Sequence, residues 1–328
     1  MKKKVDIVIP SFNSHATIGY VLSVIEHQSL LPGEVIVVDD GSTDDSVRVV
    51  EDFRNNSKLK IVLIKQKNQG PATARNKGAK KAKGDIIVFL DADCKPRKNW
   101  LLEMVNPFSD SAIVGVQGTY ETWNKGSLIA RYVGYEIAFR HEGMKKRDSL
   151  DFVGSFSAAY RREVLLKEGG FDTSFPAAAS EDQELAARLN ERGHRLVFAP
   201  KAIVEHKHPE TLKKYLIQQF WRGYWRVPVY LKHKEKVTGD SYTGSSLLGQ
   251  GFLSIIFFLS ILGLSAPLFV ISFLLLVITN IPFGIYCLKK EGKFIILAPI
   301  IASLRSLSGT LGAGYGLVRF KFKKKALS

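Results

Sequence analysis

The segment Asp85-Ile86-Ile87-Val88-Phe89-Leu90-Asp91-Ala92-Asp93 decides how this chain is read. An apolar, β-branched run of this length predicts a strand, and this one stops at two carboxylates. The pattern recurs upstream. Val5–Pro10 is followed by the polar Ser11–Ser14, Glu34–Asp40 carries Val35–Val38 and closes on Asp39 and Asp40, and Lys60–Ile64 is a further run. Between them lie Ala16–His27, Asp44–Arg54 and Pro71–Ala82, each of helical length. Strands alternating with helices predict an α/β fold with a mainly parallel sheet. Ligands of such sheets bind beyond the carboxyl ends of the strands, and polar clusters stand there in Ser11–Asn13, Asp39–Asp40 and Asp91–Asp93. No G-x-G-x-x-G follows the first strand, which disfavours a dinucleotide fold.

Further along, Ala112–Tyr120, Asp151–Tyr160 and Arg195–Ala199 predict strands, and Arg161–Glu168 and Glu181–Glu191 predict helices. Residues 1–209 are assigned to this first domain. Residues 210–236 are basic and aromatic, with Tyr215, Phe220, Trp221, Tyr224, Trp225 and Tyr230. They read equally as an interfacial helix on a bilayer or as a helix packed on the first domain. Residues 247–320 then read as a membrane domain. Leu247–Leu264 and Ala266–Leu288 hold no charged residue and approach the ~20 residues of a membrane span. A third apolar segment, 294–318, contains Pro299, Arg305 and several glycines and reads as spanning or re-entrant. An intramembrane Arg305 needs a partner: a lipid phosphate, a backbone carbonyl, or a headgroup reached by snorkelling. Residues 321–328 form a basic tail.

The formal net charge of +16 points to an anionic partner. The lysines flank the apolar region and open the chain, which reads as positive-inside topology. That predicts a multi-pass protein of the cell membrane with its catalytic domain cytoplasmic. No recognition module accompanies the charge, so nucleic acid is not an expected partner. Val5–Pro10 is too short for the apolar core of a secretory leader and contains Asp6. The two cysteines, Cys94 and Cys287, stand far apart and suggest no disulfide framework.

Several residues carry potential chemistry. Asp91 and Asp93, two apart past a strand end, point the same way if the chain stays extended. Together they suit a hard divalent cation such as Mn²⁺ or Mg²⁺, or else a solvated turn. Asp40 offers acceptors to a base or ribose, while Gly41-Ser42-Thr43-Asp44 reads as a turn with a helix cap. Arg75 suits a phosphate or carboxylate, although a surface position is the commoner fate. Ser180 with Gln183 reads as a capping box, which leaves Asp182 available as a general base. His206 and His208 offer nitrogens to a metal or phosphate. Gln219 and Arg222 are a donor pair for a leaving diphosphate or for lipid headgroups.

The ordered set resembles the inverting family 2 glycosyltransferases of GT-A fold. It comprises Val8-Ile9-Pro10-Ser11-Phe12-Asn13, Val37-Val38-Asp39-Asp40-Gly41-Ser42-Thr43-Asp44, Asn68-Gln69-Gly70 with Ala74-Arg75-Asn76, and Leu90-Asp91-Ala92-Asp93, followed by Gly169-Gly170-Phe171-Asp172 and Glu181-Asp182. The likeness covers roughly residues 4–225. It implies a Rossmann-like mixed sheet flanked by helices, and transfer from a UDP- or GDP-sugar. By resemblance Pro10, Phe12, Asp39, Asp40, Asn68, Gly70, Arg75, Asp91 and Ala92 hold the nucleotide, with Asp40 on the base. Asp93, with Asp91 and His206, holds the cation. Asp182 is the base, and Gln219, Arg222 and Glu181 serve the diphosphate or acceptor. Processive members carry Gln-x-x-Arg-Trp; here Gly223 replaces the Trp, which favours single transfer. Membrane anchoring points to a lipid or lipid-linked acceptor, as in cell-envelope polysaccharide or glycolipid synthesis. The competing readings are a nucleotidyltransferase and a non-catalytic membrane scaffold.

Overall fold

The computed structural model describes residues 3–175, 180–243 and 246–325. In chain order the first elements are β1 (Val5–Ser11), α1 (His15–Glu26), β2 (Val35–Asp39), α2 (Ser46–Asn56), β3 (Ile61–Lys65), α3 (Pro71–Lys81), β4 (Ile86–Leu90), β5 (Lys95–Pro96), α4 (Trp100–Val105) and β6 (Ile113–Thr122). They are followed by α5 (Leu128–Met144), β7 (Ser157–Arg161), α6 (Arg162–Lys167), α7 (Glu181–Glu191) and β8 (Arg195–His206). The rest is helical: α8 (Leu212–Lys232), α9 (Ser246–Leu262), α10 (Ala266–Thr279), α11 (Ile281–Leu288) and α12 (Phe294–Lys325). The chain divides into two compact units, 1–123 with 144–207, and 124–143 with 208–328. The first unit therefore differs from the expected 1–209 domain in lacking 124–143, which holds most of α5.

The first unit is built on an eight-stranded sheet in the order β3-β2-β1-β4-β7-β6-β8-β5. β1, β2, β3 and β4 are parallel, and β7 runs antiparallel to both β4 and β6. The mixed sheet with flanking helices is the GT-A architecture expected from the motif order. β2 and β4 are buried throughout, which is why their sequences show no polar alternation. The one acid inside β1, Asp6, is buried, and its carboxylate accepts the amides of Glu34 (3.0 Å), Lys83 (2.7 Å) and Gly84 (2.7 Å). It ties two loops at the rim opposite the site. The carboxyl ends of β1, β2, β4, β6 and β8 share the other rim, because β6 and β8 run parallel to each other and β6 runs the same way as β4.

Three elements depart from expectation. The strand expected over Asp151–Tyr160 begins only at Ser157, because its partner β4 ends at Leu90, opposite Ser157. Val153 and Phe156 are apolar and buried but lie beyond the ladder. β8 runs past Ala199 to His206. Its register against β6 shifts between the Gln117–Phe198 and Thr119–Ile203 pairs, so Pro200, which has no N–H to donate, falls in the irregular stretch. α5 had no sequence signal. Apolar residues from Leu128 to Phe139 leave no polar stripe, and Ala130, Tyr132, Val133 and Ile137 are buried.

In the second unit, α8 starts where the Thr211 side chain accepts the Lys214 amide at 3.3 Å. It packs on α12 with almost no space between backbones. A Cβ on Gly223 would lie 2.0 Å from the Gly309 carbonyl oxygen, and one on Gly312 would lie 1.9 Å from the Phe220 oxygen. No side chain fits at Gly223, so the Trp of the processive pattern is sterically barred. The same packing gives the glycines of residues 294–318 a role. Gly309, Gly312 and Gly316 are spaced along one helix face as a contact surface, and α12 runs through them unbroken.

Phe294–Phe320 is long and apolar enough to cross a membrane by length and composition, and Ala266–Thr279 with Ile281–Leu288 is so only if the pair, bent by 45°, counts as one span. The run read as a first span is the shorter apolar helix Leu248–Leu262, about 21 Å at 1.5 Å per residue, against a hydrocarbon core of ~30 Å. Phe252, Leu262, Leu264 and Ile296 are each at least 65% exposed, so these helices present a broad apolar surface. Residues 326–328 of the expected basic tail lie outside the described residues.

Arg305 has a partner that none of the sequence readings offered. It donates to the buried Glu136 carboxylate of α5 and, at 2.9 Å, to Gln250 Oε1. Glu136 also takes Arg140 at 2.9 Å and the Tyr215 hydroxyl at 2.7 Å. Burial pushes the Glu136 carboxyl upward, but Arg140 and Arg305 outweigh it and hold it at about 2.

Candidate active site

The site is assembled where the loops after β1 and β2 clasp each other. Asn13 takes a left-handed backbone (φ 49°), its amide donates to Ser42 Oγ at 2.9 Å, and its Oδ1 accepts the Thr43 amide at 2.9 Å. Gly41 sits at φ +79°, and a Cβ there would come within 2.8 Å of the Asn68 amide nitrogen. The Asp-Asp-Gly-Ser-Thr-Asp motif is thus a turn pressed against the Asn68-Gln69-Gly70 loop.

This geometry gives the paired acids different surroundings. Asp40, expected on the base, is buried and spent on the fold. Its Oδ1 accepts the Gln69 amide (2.8 Å) and Gln66 Nε2 (2.7 Å), and its Oδ2 accepts the Gly70 amide (2.8 Å). Asp39 uses Oδ2 on the Ser42 amide at 3.2 Å. Its Oδ1 is buried without a hydrogen-bond partner, as is Ser11 Oγ at the paired position of β1. An orphaned buried carboxylate oxygen is costly, and a ligand donor would satisfy it. The motif did not distinguish Asp39 from Asp40, because the partners come from a loop about 30 residues on.

Arg75 is not a surface residue. It is buried on α3, and its Nη1 donates to Glu181 Oε1 at 2.7 Å and its Nη2 to Asp91 Oδ1 at 2.9 Å. Burial alone would lower its pKa; Asp91 and Glu181 overcome that and raise it. Glu181, expected near the diphosphate, is therefore engaged in a buried ion pair. This clamp joins the ends of β4 and α7 and so positions Asp182. Asp182 Oδ2 accepts the Ser155 amide at 3.1 Å, an anchor with no sequence signal. Ser180, read as the cap of a capping box, has φ 75° and makes no side-chain cap bond. The Gln183 amide is instead accepted by Asp182 Oδ1 at 2.8 Å.

Asp91 and Asp93 do not converge. The strand stops at Leu90 and the chain turns, with the Cys94 amide donating to the Asp91 carbonyl at 3.0 Å. The alternation that would align the two side chains requires extended chain. Asp91 goes to Arg75, while Asp93 Oδ2 lies 3.3 Å from His206 Nε2 at the end of β8. Asp93, Cys94 and His206 bring ligand atoms within 4.8 Å of one another. Burial and the flanking carboxylates push the Cys94 thiol well up. Burial raises the Asp93 carboxyl, but His206 outweighs it and holds it below its usual value. Asp93 and His206 fit a hard or borderline divalent cation such as Mn²⁺, whose remaining positions diphosphate oxygens can take.

The remaining residues divide between the units. Pro10 is half-buried opposite Val38, Phe12 is 48% exposed, Asn68 is exposed, and Ala92 is buried in the turn. His208 belongs to the second unit, where its backbone pairs with Asn124 at 2.8 and 2.9 Å. Gln219 and Arg222 also belong there, on α8, the first buried and the second exposed. Asn76, unassigned beforehand, clasps Phe171 through Nδ2 to its carbonyl (2.7 Å) and Oδ1 from its amide (2.8 Å). That contact explains why Ala74-Arg75-Asn76 and Gly170-Phe171 occur together.

The chain is similar in sequence and fold to known proteins. The chain is 28% identical over 263 residues to a pre-mycofactocin glycosyltransferase of Mycobacterium tuberculosis, covering 77% of this chain and 53% of that one, so it spans about half the length of that relative. It is 30% identical over 234 residues to the glycosyltransferase AglE of Haloferax volcanii, covering 69% and 74%. Among solved structures, a mannosyltransferase of Pyrobaculum calidifontis in complex with GDP-Man and Mn²⁺ superposes with a TM-score of 0.66 at 19% identity, over 97% of this chain and 88% of that one. Residues 6–169 match the family described as Glycosyl transferase family 2. With half of its length matched by that family and most of AglE covered at 30% identity, the chain belongs to glycosyl transferase family 2.

Proposed function

We propose that this chain is an inverting glycosyltransferase that moves one sugar from a nucleoside diphosphate sugar to a membrane-associated, lipid-linked acceptor. The observation that carries the reading is a carboxylate, Asp182, anchored at the same sheet rim as the Asp93–His206 pair and the orphaned Asp39 oxygen. Asp39, in place of Asp40, accepts the base of the donor. Asp93 and His206 would hold a Mn²⁺ or Mg²⁺ ion, which neutralises charge on the departing nucleoside diphosphate. Asp182 takes the proton of an acceptor hydroxyl as its oxygen bonds to the anomeric carbon. The bond from that carbon to the phosphate oxygen breaks on the opposite side, so the configuration inverts. The Pyrobaculum calidifontis mannosyltransferase of similar fold, in complex with GDP-Man and Mn²⁺, supports a nucleoside diphosphate donor.

The long apolar α12 and the exposed apolar faces of the second unit support a membrane location, and the basic flanks favour a cytoplasmic first unit. The barred Trp at Gly223 supports single transfer. Incubating membranes that contain the chain with labelled UDP- and GDP-sugars tests the reading. Label in the lipid fraction with release of nucleoside diphosphate is expected; release of pyrophosphate, or no transfer from any donor, overturns it. Asp93→Asn is expected to weaken Mn²⁺-dependent nucleotide binding roughly tenfold or more. Titration calorimetry with and without Mn²⁺ checks this, and equal affinity in the variant removes Asp93 from the cation site.

A further inference from the structure

We propose that Trp123, Lys95 and Lys207 form the docking point for a phosphate group of the acceptor, set beside the cation pair and separate from the hydroxyl that is glycosylated. The inference rests on the transferase reading above and names the acceptor class: a lipid-linked saccharide joined through a phosphate or diphosphate.

Trp123 follows the end of β6 and Lys207 follows the end of β8, so both stand on the functional rim. The Trp123 amide donates to the His206 carbonyl at 2.9 Å, which fixes the indole next to the residue that pairs with Asp93. The Tyr20 ring lies 5.8 Å from the indole at a 40° tilt, and the two make an aromatic corner. Two ammonium groups converge on it. Lys207 Nζ is 5.2 Å and Lys95 Nζ 5.9 Å from the Trp123 ring centre, and Lys95 is 5.6 Å from the Tyr20 ring.

Each ammonium lies within 6 Å of the Trp123 ring, so a phosphate that reached both would gain two charge-assisted contacts. Cation–π contact orients an ammonium without neutralising it. Glu205, 3.4 Å from Lys95, balances only one of the two. Lys207 is exposed and has no carboxylate within 4 Å among the described residues. Lys95 and Glu205 also wall a cavity of about 980 Å³, whose lining adds Arg97, Lys98 and Lys201. That space, whose lining also holds Glu103, has room for the saccharide beyond the phosphate. Aromatic surface with an ammonium pair suits a phosphate carried on an apolar or saccharide stem better than a free inorganic ion.

The test uses the full chain in uncharged detergent micelles, loaded with Mn²⁺ and UDP or GDP, whichever binds. Labelled farnesyl diphosphate and farnesol are the probes. Wild type is expected to bind the diphosphate at least tenfold more tightly than the alcohol. Lys207→Glu should remove that preference, Lys207→Arg should keep it, and nucleotide affinity should stay within about twofold in both. No preference in wild type, or an unchanged preference in Lys207→Glu, overturns the proposal. In a second arm, phosphatidylglycerol vesicles replace the probes. If Lys207→Glu weakens vesicle binding alone, the patch is a contact for membrane headgroups and the proposal falls. Absence of nucleotide binding in wild type would instead strike the transferase reading, so the two failures are distinguishable.

Discussion

Asp182→Asn is expected to lower kcat for sugar transfer by about 10²–10⁴-fold, the usual contribution of a positioned general base. Asn is the informative replacement. Its amide oxygen can still accept the Ser155 amide that anchors Asp182, so the loop keeps its place while the proton acceptor is lost. Removal of a residue used only in the transition state lowers kcat and kcat/KM together. Donor affinity, measured as Mn²⁺-dependent nucleotide binding, should therefore stay within about threefold. Full transfer activity in Asp182→Asn would show that the acceptor needs no base. Loss of nucleotide binding would show instead that the substitution disturbs the Arg75 clamp, since Arg75 pairs with the adjacent Glu181.

Glu136→Ala is expected to destabilise the second unit by about 3–5 kcal/mol, the cost of stranding a buried charge by deleting its partner. Two guanidinium groups, Arg140 and Arg305, would lose their shared carboxylate, and the Tyr215 hydroxyl would lose its acceptor. Arg305 lies on the long apolar α12, where no ready substitute for water exists. Thermal denaturation of the full chain in detergent, followed by indole fluorescence to which Trp221 and Trp225 on α8 contribute beside Trp100 and Trp123 of the first unit, checks this as a shift of the α8-linked part of the melt. The pH dependence gives an independent check. Glu136 is depressed from 4.5 to about 2, so its ionised form stabilises the fold above pH ~4.5, and that contribution is lost as pH falls toward 2. Glu136→Gln should flatten the acid limb over that window. Equal melting of wild type and both variants would show the network to be energetically idle.

The alternating order of strands and helices, the rim on which the acids stand and the apolar character of the C-terminal region were all legible from residue patterns. These depend on periodicity and run length, which neighbouring residues express by themselves. The motif order was informative for the same reason, since each piece is a turn or strand end that its own residues determine. The fate of each acid was not legible. Asp40 is consumed by the Gln66–Gly70 loop, Asp91 by Arg75, and Asp93 turns away toward His206, a residue contributed by a strand more than a hundred positions later. α5 stayed hidden because its buried face carries Glu136 and His141 among the apolar residues, which blurs the stripe, and Arg305 found its carboxylate on that hidden helix. The glycines of α12 read as interruptions until α8 was seen lying against them. Chain-local patterns determine which elements form. Hydrogen-bond and ion-pair partners are chosen by whatever tertiary packing brings within 3 Å, and only the folded chain supplies that.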